Sequence, residues 1–179
     1  MLRKALLSLF LTAALAAPAM AQEAAVTDTG GTLTPPTIKL GIGYANAFDE
    51  EDNSTDFKVD LRSNWGWLGM IDPFVAFEAN TDGGLFGGVG LTGDVHLTPQ
   101  WLIIPSFAGG FYEEGNSVDL GGTAQFRSGI ELAYQFPTAG RVGIELTHMS
   151  NFGMYDDNPG TEVVSLNYHM PLDILDGRK

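Results

Sequence analysis

The chain has 179 residues and is strongly acidic, with 22 Asp and Glu against nine Lys and Arg and a formal net charge of −13. That balance excludes a phosphate-binding nucleic-acid protein, which needs clustered Lys and Arg. There is no cysteine, so a disulfide scaffold and a Cys-based zinc site are excluded too.

Residues 1–21 read as a secretory signal. Arg3 and Lys4 form a basic start, Leu6 to Ala17 an apolar stretch, and Ala19-Met20-Ala21 a small-x-small cleavage site. The apolar run is too short and wrongly flanked for a spanning helix. The signal holds two of the nine basic residues and no acid, so residues 22–179 carry seven basic and 22 acidic residues, a net charge of −15. Residues 22–36 are rich in Ala, Thr, Gly and Pro, end in Pro35-Pro36 and read as a flexible leader.

The rest alternates between apolar and polar residues in about eight strand-like segments. They cover 37–48, 55–64, 71–80, 85–97, 100–112, 122–136, 140–151 and 161–170. Each approaches or exceeds the roughly 9–11 residues that a tilted strand needs to cross a bilayer. Exported, apolar, rich in Gly and aromatics, and without a helical span, residues 37–172 are expected to form an all-β, eight-stranded antiparallel transmembrane barrel. Residues 173–179 follow as a short tail.

The second segment sets Phe57, Val59 and Leu61 against Lys58, Asp60 and Arg62. The fourth sets Val89, Leu91, Val95 and Leu97 against Gly90, Thr92, Asp94 and His96. The fifth has Leu102-Ile103-Ile104 apolar on both faces. In the sixth, Ala124, Phe126, Ile130, Leu132, Tyr134 and Phe136 share a face with Ser128. The polar faces hold charges of both signs, namely Lys39, Lys58, Asp60, Arg62, Glu78, Asp94, Arg127, Glu131 and Glu145. They predict a salt-bridged lumen, and an eight-stranded barrel is only just wide enough for side chains to fill it. His96 and His169 are expected to face that lumen in structural roles. The Gly pairs at 83–84, 87–88 and 121–122 read as packing or bending sites, not a phosphate loop.

Links around 65–69, 98–100 and 137–140 are short, while those around 49–54, 113–120 and 152–160 are longer or more acidic. That asymmetry fits periplasmic turns and extracellular loops. Trp65, Trp67 and Trp101 fall near the periplasmic rim, and Phe111, Tyr112, Phe152 and Tyr155 near the outer one, as two aromatic girdles.

The seventh segment carries the chemistry. Val142, Ile144 and Leu146 define an apolar face, and His148 and Ser150 continue it. In the eighth, Glu162 leads the apolar face of Val164, Leu166, Tyr168 and Met170. Polar groups are costly against lipid, so three of them on adjacent lipid-facing strands imply a use. Residues two apart on one strand have Cα atoms about 6.6 Å apart, within reach for imidazole and hydroxyl. Ser150 is a nucleophile that needs a base, His148 is that base, and Glu162 is the acid that would orient it. Asp156 and Asp157, in the preceding loop, are reserves for the acid. Asn151 and the Gly153 amide are candidate oxyanion donors. Asn158-Pro159-Gly160 is a turn that would return Glu162 to face His148. No His, Asp or Glu cluster has metal-ligand spacing.

The segment from His148 to Leu172, HMSNFGMYDDNPGTEVVSLNYHMPL, resembles the C-terminal end of the PagL-type lipid A 3-O-deacylases, which are eight-stranded outer-membrane barrels. A His-x-Ser-Asn motif with a Glu fourteen residues after the His falls here on His148, Ser150, Asn151 and Glu162. The resemblance implies a His-Ser-Glu triad, an oxyanion hole at Asn151 and Gly153, and hydrolysis of the 3-O-linked acyl chain of lipid A. It also implies a place in the cell outer membrane, lipopolysaccharide as the partner, and no cofactor; a homodimer is compatible with the chain. Two departures stand out, the tail at 173–179 and the long leader. The rival expectations are a non-enzymatic structural or adhesive barrel, and a phospholipase or acyltransferase using the same three residues.

Overall fold

The computed structural model describes residues 36–48, 53–64, 66, 70–137 and 140–172. The expected signal, the leader up to residue 35, the tail, Trp65 and Trp67 lie outside them. The strands are β1 (Thr37–Ala45), β2 (Ser54–Arg62), β3 (Ile71–Asn80), β4 (Leu85–Gly93), β5 (Val95–His96), β6 (Trp101–Glu113), β7 (Ala124–Gln135), β8 (Arg141–Ser150) and β9 (Thr161–Pro171).

Every pairing is antiparallel between chain neighbours, and β1 also pairs with β9. β4 and β5 are one stave interrupted at Asp94, since both pair with β6. The β4–β6 pairing closes the sheet. The result is a closed eight-stave barrel of the outer-membrane type. Closure leaves no unpaired edge, which is what lets strands cross a hydrocarbon layer.

The two faces of each strand follow the alternation. Leu40, Ile42, Phe77, Ile144 and Leu166 point outward and are exposed. Lys58, Arg127, Glu131 and Glu145 are buried inside. A charge in a closed lumen has lost water, so it needs an opposite partner. Arg127 bonds both oxygens of Asp60 at 2.9 Å and Glu78 at 2.8 Å. Its guanidinium lies 5.8 Å and 5.7 Å from the ring centroids of Phe74 and Phe86. Lys39 reaches Asp60 at 2.9 Å and Glu145 at 3.0 Å. Lys58 donates to Thr147 Oγ1 at 2.8 Å. Near the terminal end, Arg62 joins Asp72 and Asp94, and Arg141 joins Asp94. The lumen is thus filled by ion pairs.

Apolar side chains complete the plug. Phe74, Ala76, Phe86, Ala108, Tyr112, Leu120 and Met149 form one buried cluster, and Leu102, Ile104 and Ala133 a second. The second explains why β6 is apolar on both faces: Leu102 and Ile104 fill the barrel while Ile103 faces out.

Two expectations are corrected. Tyr112 is no girdle residue; it shares lumenal parity with Ala108 and is buried, its hydroxyl donating to the Val118 carbonyl at 3.0 Å. His169 is buried in the lumen with Nε2 2.8 Å from Glu131 Oε1, whereas His96 is exposed. His96 ends a two-residue strand at the barrel rim.

Candidate active site

The register of three strands builds the site. On β8, His148 lies directly opposite Ser128 of β7 and Glu162 of β9. The three side chains form a polar row across an otherwise apolar outer wall. Glu162 reaches that place because the chain reverses through residues 151–160 and re-enters the sheet at Thr161.

His148 Nδ1 lies 3.1 Å from Glu162 Oε1. An ionised carboxylate only accepts, so the proton shared with Glu162 is the one on Nδ1, and Nε2 is the nitrogen left to act as a base when the ring is neutral. The two side chains are 21% and 23% exposed. Ser150 has the same outward parity two residues along, yet is only 6% exposed. Its register partner is Phe126. Among the described residues, no hydrogen bond joins the Ser150 hydroxyl to His148. Asp156 and Asp157 are exposed, and Glu162 is the carboxylate that meets His148.

Asn151, the residue after β8, is fully buried. Its amide donates to the carbonyls of Leu120 at 2.9 Å and Asp157 at 2.7 Å. Its Oδ1 accepts from the Gly153 N–H at 2.8 Å, and its own N–H donates to Asn158 Oδ1 at 3.0 Å. Both candidate oxyanion donors are therefore engaged in the loop. Phe152 and Gly153 take successive left-handed conformations, φ 55° and 76°. With Met154 N–H bonded to the Asn151 carbonyl at 3.1 Å, they make a type I′ turn. The Tyr155 hydroxyl accepts from Ala124 N–H at 3.2 Å, while its ring covers Gly122. The loop that delivers Glu162 is thus tied to the loop between β6 and β7.

Three neighbours have contacts in the site that the sequence expectations did not give them. Ser128 was readable as outward-facing, but its register opposite His148 was not. Its hydroxyl lies 3.4 Å from the His148 carbonyl. Asn158 holds the Asn151 backbone. Gly160 has φ 71°, and a Cβ there would stand 2.8 Å from His148 Cε1. A side chain would be strained by the backbone and would push the imidazole. Gly160→Ala is therefore expected to lower kcat about 10²-fold, the cost of misplacing a reacting group by about an ångström, with the barrel still folded. A wild-type kcat in that variant would show that the ring tolerates the intrusion.

Comparison with known proteins bears on the whole arrangement. The model of the family described as lipid A 3-O-deacylase (PagL) matches residues 54–171. No curated protein matches the chain in sequence. Among solved structures, the crystal structure of the outer membrane enzyme PagL superimposes with TM-score 0.59 at 16% identity, covering 75% of this chain and 99% of that one. A de novo designed transmembrane β-barrel gives TM-score 0.54 at 12% identity, covering 76% and 96%. At these identities the structural likenesses speak for the barrel fold, while the family match spans most of the chain and all three strands of the site. The chain belongs to the PagL lipid A 3-O-deacylase family and is an outer-membrane β-barrel.

Proposed function

We propose that this protein is an esterase that removes the 3-O-linked acyl chain of lipid A, with Ser150 as nucleophile, His148 as base and Glu162 as its orienting acid. The observation that carries this reading is the His148–Glu162 pair beside Ser150 on the outward wall. Even stave number puts both chain ends at one mouth of the barrel. With those ends in the periplasm, the site lies at outer-leaflet level. A lipid ester reaches it sideways, so no deep cleft is needed.

Ser150 Oγ attacks the ester carbonyl as His148 Nε2 takes its proton. For this step the Ser150 hydroxyl turns to Nε2, a contact that at such sites often forms only with substrate bound. Glu162 stabilises the imidazolium that forms. The tetrahedral intermediate collapses, the bond from carbonyl carbon to sugar oxygen breaks, and His148 returns the proton to that oxygen. Water then attacks the acyl-enzyme with His148 again as base. Free fatty acid leaves and the Ser150 hydroxyl is restored. The scheme uses no metal or cofactor.

For the oxyanion, Asn151 and Gly153 are the pair we propose, with the Gly153 N–H as donor and Asn151, whose own N–H groups are engaged, holding it in place. Because Asn151 Oδ1 holds the Gly153 N–H at 2.8 Å, that N–H serves the oxyanion either as a shared bond or after this contact opens. Asn151 also acts through the loop, by fixing where Gly153 sits.

The test is product analysis of the purified protein in mixed micelles of lipid A and phospholipid. Hydrolysis predicts one equivalent of free hydroxy fatty acid per lipid A and no new acylated lipid. A phospholipid or lipid A that gains a chain would mean acyl transfer; lysophospholipid with intact lipid A would mean a phospholipase. Either would overturn the reading.

A further inference from the structure

Hydroxyls are rare on the outward wall. Away from the strand ends, and leaving the tyrosines aside, Ser128 is the one hydroxyl among the described outward-facing strand residues. It lies between Phe126 and Ile130 on that face of β7 and stands in the register row of His148 and Glu162. A polar group against lipid costs free energy unless it finds a partner. A scheme of nucleophile, base and acid alone has no place for it.

Its hydrogen bonding sets what it offers. A hydroxyl has one proton to donate and two lone pairs that accept. Among the described residues the one hydrogen bond of Ser128 Oγ goes to the His148 carbonyl, 3.4 Å away, which takes the proton. The lone pairs are left, so Ser128 Oγ is an acceptor beside His148. Glu162 holds the imidazole by Nδ1 at 3.1 Å, and Nε2 is turned away from that carboxylate. Gly160 keeps the space beside Nε2 clear, since a Cβ there would stand 3.4 Å from it. Directly opposed residues on neighbouring strands have Cβ atoms about 4.5–5.5 Å apart. One water, bonded at about 2.8 Å to each of two atoms, bridges a gap of that order.

The second half of the esterase reaction needs such a water. The acyl-enzyme lies on a wall that faces lipid, where water is scarce, and a held water needs at least two polar partners. We propose that Ser128 is a catalytic residue of deacylation, its Oγ accepting from the hydrolytic water while His148 Nε2 takes that water's other proton. The inference rests on the reading of Ser150 as nucleophile and His148 as base. The water oxygen bonds to the acyl carbonyl carbon, and the bond from that carbon to Ser150 Oγ breaks. His148 returns its proton to Ser150 Oγ. The proton shared with Ser128 stays on the water oxygen and leaves with the fatty acid. An alcohol has one hydroxyl proton and cannot serve both acceptors. Ser128 therefore selects water over a lipid hydroxyl, and hydrolysis over acyl transfer.

The experiment compares wild type, Ser128→Ala and Ser128→Thr on lipid A in mixed micelles, with methanol as a competing nucleophile. Mass spectrometry reads the acylated fraction of the quenched protein and the ratio of fatty acid methyl ester to free fatty acid. Ser128→Ala is expected to raise both about tenfold, the worth of one hydrogen bond to a positioned water. Ser128→Thr keeps the oxygen and should stay near wild type. Ser128→Ala with both quantities as in wild type would overturn the role. So would a fall in kcat that leaves both unmoved, because Ser128 would then act before the acyl-enzyme forms. A wild type that releases no fatty acid would overturn the esterase reading, and this role with it.

Discussion

Ser150→Ala is expected to fold into the same barrel and to lose lipid A deacylation by about 10³–10⁶-fold, the range for removing a nucleophile from a serine triad. The fold should survive because the Ser150 side chain makes no hydrogen bond among the described residues and Ser150 is the last residue of β8. Glu162→Gln should cost less, about 10²–10⁴-fold. The amide can present its NH₂ to Nδ1 and so favour the wrong tautomer, and it no longer stabilises the imidazolium. Steady-state kinetics on micellar lipid A, with heat-modifiable gel mobility as the folding check, separates the two. Activity in Ser150→Ala within tenfold of wild type would remove Ser150 from the nucleophile's role.

The largest effect on stability is expected at Arg127. Its side chain holds Asp60 and Glu78 together inside the barrel. Arg127→Met leaves two buried carboxylates without it, a change that typically costs about 3–5 kcal/mol. The two are not left equal: Asp60 keeps a cation, Lys39, at 2.9 Å, whereas the cation left to Glu78, Lys58, is at 3.9 Å. Adding Glu78→Gln should therefore recover part of the loss, and Asp60→Asn less. Urea unfolding of the protein refolded into lipid vesicles measures both, as a double-mutant cycle. Equal stability of Arg127→Met and wild type would mean that the lumenal network contributes little beyond filling space.

The barrel was legible because its alternation is inside out. Lys58, Asp60 and Arg62 alternate with Phe57, Val59 and Leu61, and a one-residue shift in register would put the charges in lipid. The expected segments therefore match the strands to within a few residues; β1 stops at Ala45, short of the expected 48, where Asn46 turns left-handed. The meeting of His148 and Glu162 was legible for a similar reason. Shared parity and a turn at Asn158-Pro159-Gly160 leave few registers for β8 and β9. The rest depended on distant chain. Asn151 bonds to Leu120, 31 residues earlier, which no local pattern announces. Ser128 meets His148 only through the β7–β8 register. Tyr112 follows lumenal parity, which its aromatic character obscured. His96 has that parity too, but parity does not say where the wall ends.

The central claim is that this barrel removes the 3-O-acyl chain of lipid A through Ser150. Mass spectrometry of lipid A from cells expressing the wild type, with Ser150→Ala expressed to the same outer-membrane level, tests it most directly. The account predicts loss of one hydroxyacyl mass in the wild type alone. Unchanged lipid A in both, or the same loss in both, would contradict it.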